Sequence, residues 1–226
     1  RTFEQAVQYP PNQVYIGNKR PEDLPGIPEP WFKCTEKADR FGPFGEIATQ
    51  KELYILMKYA DVFELVYLTE EFTAEAATII QNHPLMKDKA ITLGEAHSKA
   101  DIEKLVQSHT AEGLYDNDVL VGCVKQAHDT DPNLSAHTML ENLVTKGSGI
   151  LTAWHLAELE GINAADIEYI IECSEEAAGD VNQRGGGNIA KSVGEKAGCV
   201  HATGCDIRGF CAGPVHALAN AAAFFK

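Results

Sequence analysis

VHATGCDIRGFCAGPVHALANAAAF, residues 200–224, reads as a strand, a turn and a helix, with Cys211 at the turn. Pro214 suits a first helical turn, where its missing N–H leaves no bond unmade. Val215, Leu218, Ala219, Ala222 and Phe225 then recur at helical spacing, and only His216 and Asn220 break the apolar character. A helix apolar on nearly every side is expected to be buried. In open parallel sheets, ligands collect at the carboxyl ends of strands, where loops lead into helix N-termini. Cys211 falls at such a place. The backbone N–H groups of Ala212 and Gly213, with the positive end of the helix dipole, are expected to point at its thiol. Such a setting lowers a thiol pKa from its free value of about 8.5, and the same amides can hold a developing oxyanion. A free cysteine is more often a small buried hydrophobe than a nucleophile. The strand, turn and helix around Cys211 reverse that expectation.

Working outward, residues after Tyr115 follow a rhythm of three strand and helix pairs, the pattern of a parallel sheet built from crossover units. The strands are VLVGCV (119–124), IEYIIEC (167–173) and VHATGCDI (200–207), with helices expected over roughly 134–160, 187–197 and from 211 onward. Three strands make a small sheet, so further sequence is expected to complete it. Upstream, residues 1–48 carry seven of the ten prolines, which opposes helix interiors and central strands and predicts an extended arm or a wrap of turns. Tyr9, Tyr15, Trp31, Phe32 and Phe44 lie among those prolines and argue for an ordered surface against a partner. From Gln50 the pattern turns helical. VFELVYL (62–68) then reads as a strand, while EEFTAEAATIIQNH and ADIEKLVQSHTAEG read as helices. The organisation expected is an accessory region over 1–115 and a sheet-bearing region over 116–226.

Composition narrows the function. With 19 Lys+Arg against 33 Asp+Glu, the net charge of -14 disfavours nucleic acid and anionic membranes as partners. No run of 18 apolar residues is present, the N-terminus lacks a signal-peptide pattern, and the cytoplasm is the expected compartment. Six cysteines without CxxC spacing in a chain of 226 residues predict free thiols rather than a disulfide framework. A first residue of Arg1 and an apolar helical end read as a piece of a longer protein.

Four further groups carry candidate chemistry. In DVNQRGGGNIAK (180–191), Arg184, Gly185, Gly186, Gly187, Asn188 and Lys191 form a glycine loop opening a helix, able to cradle phosphate or to serve an interface. Glu175, Glu176 and Asp180 follow the second strand and can orient substrate or move a proton, although a solvated acidic loop is the simpler reading. Arg208 can meet an anionic substrate or pair with Asp206, and His216 lies a turn and a half past Cys211, as a base or as a packed helix residue. His128, Asp129, Asp131 and His137 match no recognised metal-ligand spacing, so no metal is expected.

The nucleophile segment DIRGFCAGPVHALANAAAF resembles that of ketoacyl synthase III and the wider thiolase superfamily, and GINAADIEYIIECSEE is similar to the preceding helix-to-strand passage. PPNQVYIGN, the PWF segment, GPFGEI, AHDTDPNLSAHTMLENLVTKGSGI and CSEEAAGDVNQRGGGNIAK extend the likeness over nearly the whole chain. Together they resemble the beta subunits of component C of glycine/sarcosine/betaine reductase complexes. The resemblance implies an α/β, thiolase-like fold present as an incomplete first half, and an acyltransferase-type subunit. In such a subunit a carboxymethyl group on a selenoprotein partner becomes an acetyl thioester on Cys211, which phosphate cleaves to acetyl phosphate. It also implies the alpha subunit of component C and selenoprotein component A as partners, a homodimer of the thiolase-like part, and a C-terminal thiolase half that supplies the missing base. No tightly bound cofactor is implied beyond phosphate as acceptor. The alternatives are an acyltransferase of the ketoacyl synthase III kind using coenzyme A or a carrier protein, and a non-catalytic scaffold subunit.

Overall fold

The computed structural model describes residues 3–174 and 189–225. The chain divides into two compact units, one of Arg1–Thr49 with His155–Gly161 and one of Gln50–Trp154 with Ile162–Lys226.

The first unit is a wrap of short helices and turns, as its prolines require. Helix α1 is Phe3–Val7 and α2 is Pro10–Tyr15, followed by short 3-10 segments at Pro21–Gly26 and Trp31–Lys33. With so little regular structure, side-chain amides tie the backbone together. Gln13 Nε2 donates to Glu36 O at 2.7 Å, and Asn18 and Asp39 exchange two bonds at 3.1 Å. Gly17 has φ +76°, and a Cβ there would stand 2.5 Å from Gly45 N, so only glycine lets these two loops touch.

The second unit is mixed α/β. Helix α3 (Gln50–Ala60) leads to strand β1 (Val66–Leu68), α4 (Glu70–Asn82), α5 (Lys99–Gln107), β2 (Ala111–Asp116) and β3 (Val119–Lys125). Thr69 caps α4 by accepting from Phe72 N, and Ser98 caps α5 by accepting from Asp101 N, each at 3.2 Å, the bond that favours Ser and Thr before a first turn. The three strands form an antiparallel sheet in the order β1-β3-β2. Ile102, Ala111, Leu120 and Cys123 make one core cluster on it, with Tyr67, Leu105 and Val106 at its margin.

This corrects three readings of the sequence. VLVGCV is not a parallel strand: it is the centre of the antiparallel sheet, because an apolar run fits any strand flanked on both sides. The helix expected through ADIEKLVQSHTAEG stops at Gln107, His109 takes φ 58°, and the chain turns into β2. Of VFELVYL only Val66–Leu68 is strand, since the Asp61 carboxylate accepts Phe63 N and Val66 N and folds the preceding residues into a turn.

The long helix α6 (Ala136–Glu160) precedes β4 (Tyr169–Ser174), α7 (Ile189–Ala197), β5 (Thr203–Arg208) and α8 (Gly213–Phe224). Strands β4 and β5 pair in parallel, from Tyr169↔Thr203 to Ser174↔Arg208. Helix α7 covers one face: a Cβ on Gly204 would stand 2.3 Å from Ile170 O and 3.2 Å from Ala190 Cβ, which fixes glycine at that crossing. Helix α8 lies on the other, where Tyr169 and Phe224 rings meet at 4.7 Å. The expectation that α8 is buried does not hold in this chain. Only Gly213 of the helix is buried, whereas Leu218 is 71% and Phe225, just past its end, 85% exposed. The apolar pattern is real, but among the described residues one flank alone has a neighbour.

Candidate active site at the end of the parallel strands

Parallel register sets which side chains share a face at the carboxyl ends of β4 and β5. Alternation puts Glu172, Asp206 and Arg208 together on the α7 side. Asp206 Oδ2 accepts Ile189 N and its Oδ1 accepts Ala190 N, both at 2.8 Å, so a carboxylate from the strand closes the first turn of α7. Charge-assisted bonds of this kind, at the positive end of a helix, are the strong ones. Arg208 Nη1 donates to Glu172 Oε2 and its Nη2 reaches Asp206 Oδ2 at 3.5 Å. The guanidinium is therefore held within the sheet's own network, and its Nε is buried without a partner among the described residues. Lys191 Nζ donates to Ala202 O at 2.6 Å, tying α7 to the approach of β5. Lys146, from α6, is buried. Desolvation holds its ammonium below the ordinary lysine range, against the opposing pull of Asp61 and Asp206.

Cys211 sits three residues beyond the end of β5, in a single 3-10 turn, Phe210–Ala212, that runs straight into α8. Its side chain is exposed. No side chain caps α8, and Pro214 brings no N–H. The Ala212 N–H, expected to face the thiol, instead donates to Gly209 O at 3.0 Å and closes the turn. His216 lies beside that turn: its Cδ2 would be 3.1 Å from a Cβ on Gly209. The structure thus gathers Cys211, Gly213 and His216 at one corner, with Arg208, Glu172 and Asp206 engaged on the α7 face. Glu175, Glu176, Asp180, Arg184, Gly185, Gly186, Gly187 and Asn188 lie outside the described residues.

The other thiols contrast with Cys211. Burial pushes Cys123 up to about 11, with Lys125 opposing, and burial also raises Cys199. Both read as inert core residues. The histidine and aspartate group around 128–137 is spent on local structure. His128 Nδ1 accepts Thr130 N and Asp131 N at 3.2 Å, Asp131 caps the next 3-10 turn through Asn133 N, and His137 pairs with Glu141 at 3.3 Å. Sequence reading did not find Glu172 or Lys146, nor Asp206 as a helix-closing group. An aspartate in a strand was the available signal, and only the register between β4 and β5 shows what it serves.

A parallel strand pair whose carboxyl end presents an exposed cysteine ahead of a helix defines an α/β chain with a candidate strand-end site. Over its whole length, across 229 aligned positions, the chain is 52% identical to the glycine/sarcosine/betaine reductase complex component C subunit beta of Peptoclostridium acidaminophilum. It spans about half, 45%, of that relative's length. No family model matches the chain. No solved structure matches it.

Proposed function

We propose that this chain supplies the nucleophile-bearing part of a component C beta subunit in a glycine/sarcosine/betaine-type reductase complex, with Cys211 carrying an acetyl group. The observation that carries this reading is the 52% identity along the entire chain, joined to the exposed position of Cys211 at the strand end. In the proposed chemistry the Cys211 thiolate attacks the carboxyl carbon of a carboxymethyl group carried on the selenium of component A; a carboxyl oxygen leaves as water, and the Se–C bond breaks as a neighbouring thiol of that partner captures the selenium as a selenenyl sulfide, leaving a methyl group on the new Cys211 thioester. A phosphate oxygen then attacks the thioester carbonyl, the sulfur leaves as thiolate, and acetyl phosphate departs. Gly213 N–H is the remaining candidate donor for the developing oxyanion, since the Ala212 amide is engaged. His216 and the glycine loop through Arg184 to Lys191 are the candidates for proton and phosphate handling.

The same reading takes residues 116–226 as an incomplete thiolase-like half and residues 1–115 as an accessory region. It adds a homodimer, the alpha subunit of component C as partner, a C-terminal half bearing the base, and a cytoplasmic setting. The test uses the full-length protein assembled with its partners and supplied with the acetyl donor. Mass spectrometry is expected to find one acetyl group on the Cys211 peptide. No adduct, together with undiminished acetyl phosphate formation by Cys211→Ser, would overturn the proposal in favour of a scaffold.

A further inference from the structure

Between the C-terminal end of α3 and the middle of α6 a narrow pocket, partly open past the exposed Val62 and Phe63, leaves about 10 Å³ for the centre of a water molecule, with Asp61, Leu65, Asn142 and Lys146 in its lining. Asn142 is 1% exposed, and among the described residues neither its Nδ2 nor its Oδ1 has a hydrogen-bond partner. Lys146 follows one turn later on the same helix and is 6% exposed. Native interiors rarely leave an amide wholly unpaired, because each lone donor or acceptor keeps its desolvation cost. Asp61 already accepts Phe63 N at 3.0 Å and Val66 N at 2.7 Å, which fixes its carboxylate at the cavity wall.

The lining selects the guest. It must accept from the Asn142 amide hydrogens and the Lys146 amine, and donate to Asn142 Oδ1 and the Asp61 carboxylate. A halide cannot donate and an ammonium ion cannot accept. Water does both, and one water needs about 10–15 Å³ of such space and two to four polar partners.

We infer that this cavity is a binding site for a single internal water that bridges Asn142 and Lys146. The bridge satisfies the buried Asn142 amide, adds an acceptor for an amine whose neighbouring charges are Asp61 and Asp206, and locks α6 against the turn after α3. It is independent of the function proposed for Cys211.

Water-to-protein nuclear Overhauser spectroscopy on isotopically labelled protein tests it directly. A cross-peak between the Asn142 side-chain amide and a long-lived water is expected, and its absence would overturn the inference. Thermal melting of Asn142→Leu, Lys146→Met and the double variant provides a second readout. Asn142→Leu should lower Tm by about 5 °C, since it displaces the water and removes the acceptor that the water offers the lysine. Adding Lys146→Met should recover most of that loss, because no buried polar group is then left alone. Equal stability of Asn142→Leu and the parent protein, or a loss that Lys146→Met does not relieve, would show that the cavity is dry.

Discussion

Asp206 Oδ2 accepts the backbone N–H of Ile189 at 2.8 Å, joining the carboxyl end of the last strand to the first turn of α7. The carboxylate is 7% exposed and lies five residues before Cys211. The turn that presents the thiol therefore hangs from a strand whose end is fixed by a helix on the opposite face.

Asp206→Asn keeps the shape but loses the charge and half of the acceptor capacity. Hydrogen bonds to a buried charge contribute about 1.5–3 kcal/mol, so Tm should fall by about 4–8 °C for a chain of this size. Calorimetry checks this, and a change within about 1 °C would mean that other contacts hold α7.

Thiol reactivity should rank by burial. Iodoacetamide at neutral pH, followed by peptide mass spectrometry, is expected to label Cys211 first and to spare Cys123, whose burial raises it to about 11, and Cys199, raised by the same cause. Equal labelling of Cys123 and Cys211 in the folded protein would contradict the core placement of β3.

Cys211→Ser removes one sulfur from an exposed turn, so stability should change by no more than about 0.5 kcal/mol, whereas acetyl transfer in the assembled complex should be lost. A melting shift as large as that of Asp206→Asn would make the serine variant unusable as a functional probe.

Lys146 titrates below the ordinary lysine value of 10.5 because burial disfavours its charge. A base depressed in the fold binds fewer protons there than when unfolded, so its contribution to stability rises with pH across the window ending at 10.5. Relative to the parent protein, Lys146→Met should gain most near pH 7 and least near that upper limit. An advantage constant with pH would indicate that the amine reaches solvent.

Gly204 tests the layer that carries the site. A Cβ there would stand 2.3 Å from Ile170 O, and Gly204→Val should cost about 1–3 kcal/mol by overpacking between β4, β5 and α7. Chemical denaturation gives the value, and a neutral result would refute the close strand crossing.

Much of this architecture is legible in the sequence wherever a local signal and a packed surface agree. Thr69 and Ser98 mark the starts of α4 and α5, and the Gly213–Pro214 step marks the start of α8. The order strand, cysteine turn, helix follows from residues 200–224 alone. What fails is partner choice. VLVGCV is equally suited to a parallel or an antiparallel neighbour, and one of its two partners, AEGLYD, carries Glu, Gly and Asp, which hide a strand. The engagement of Arg208 and of the Ala212 amide is also out of reach, because each depends on a bond whose other end is set by register or by one turn's geometry.

The outward face of α8 has a colloidal consequence. Among the described residues nothing covers Leu218 and Phe225, which are exposed with Val215 and Phe224, a patch that favours association of two copies of this chain taken alone. Opposing it is the mutual repulsion of molecules that each carry a net charge of -14. That repulsion is screened beyond about 10 Å at 0.1 M salt, while apolar attraction is strengthened by kosmotropic salts. Ionic strength thus acts on this chain as a solubility control: dilute buffer keeps the helices apart, and added sulfate drives them together.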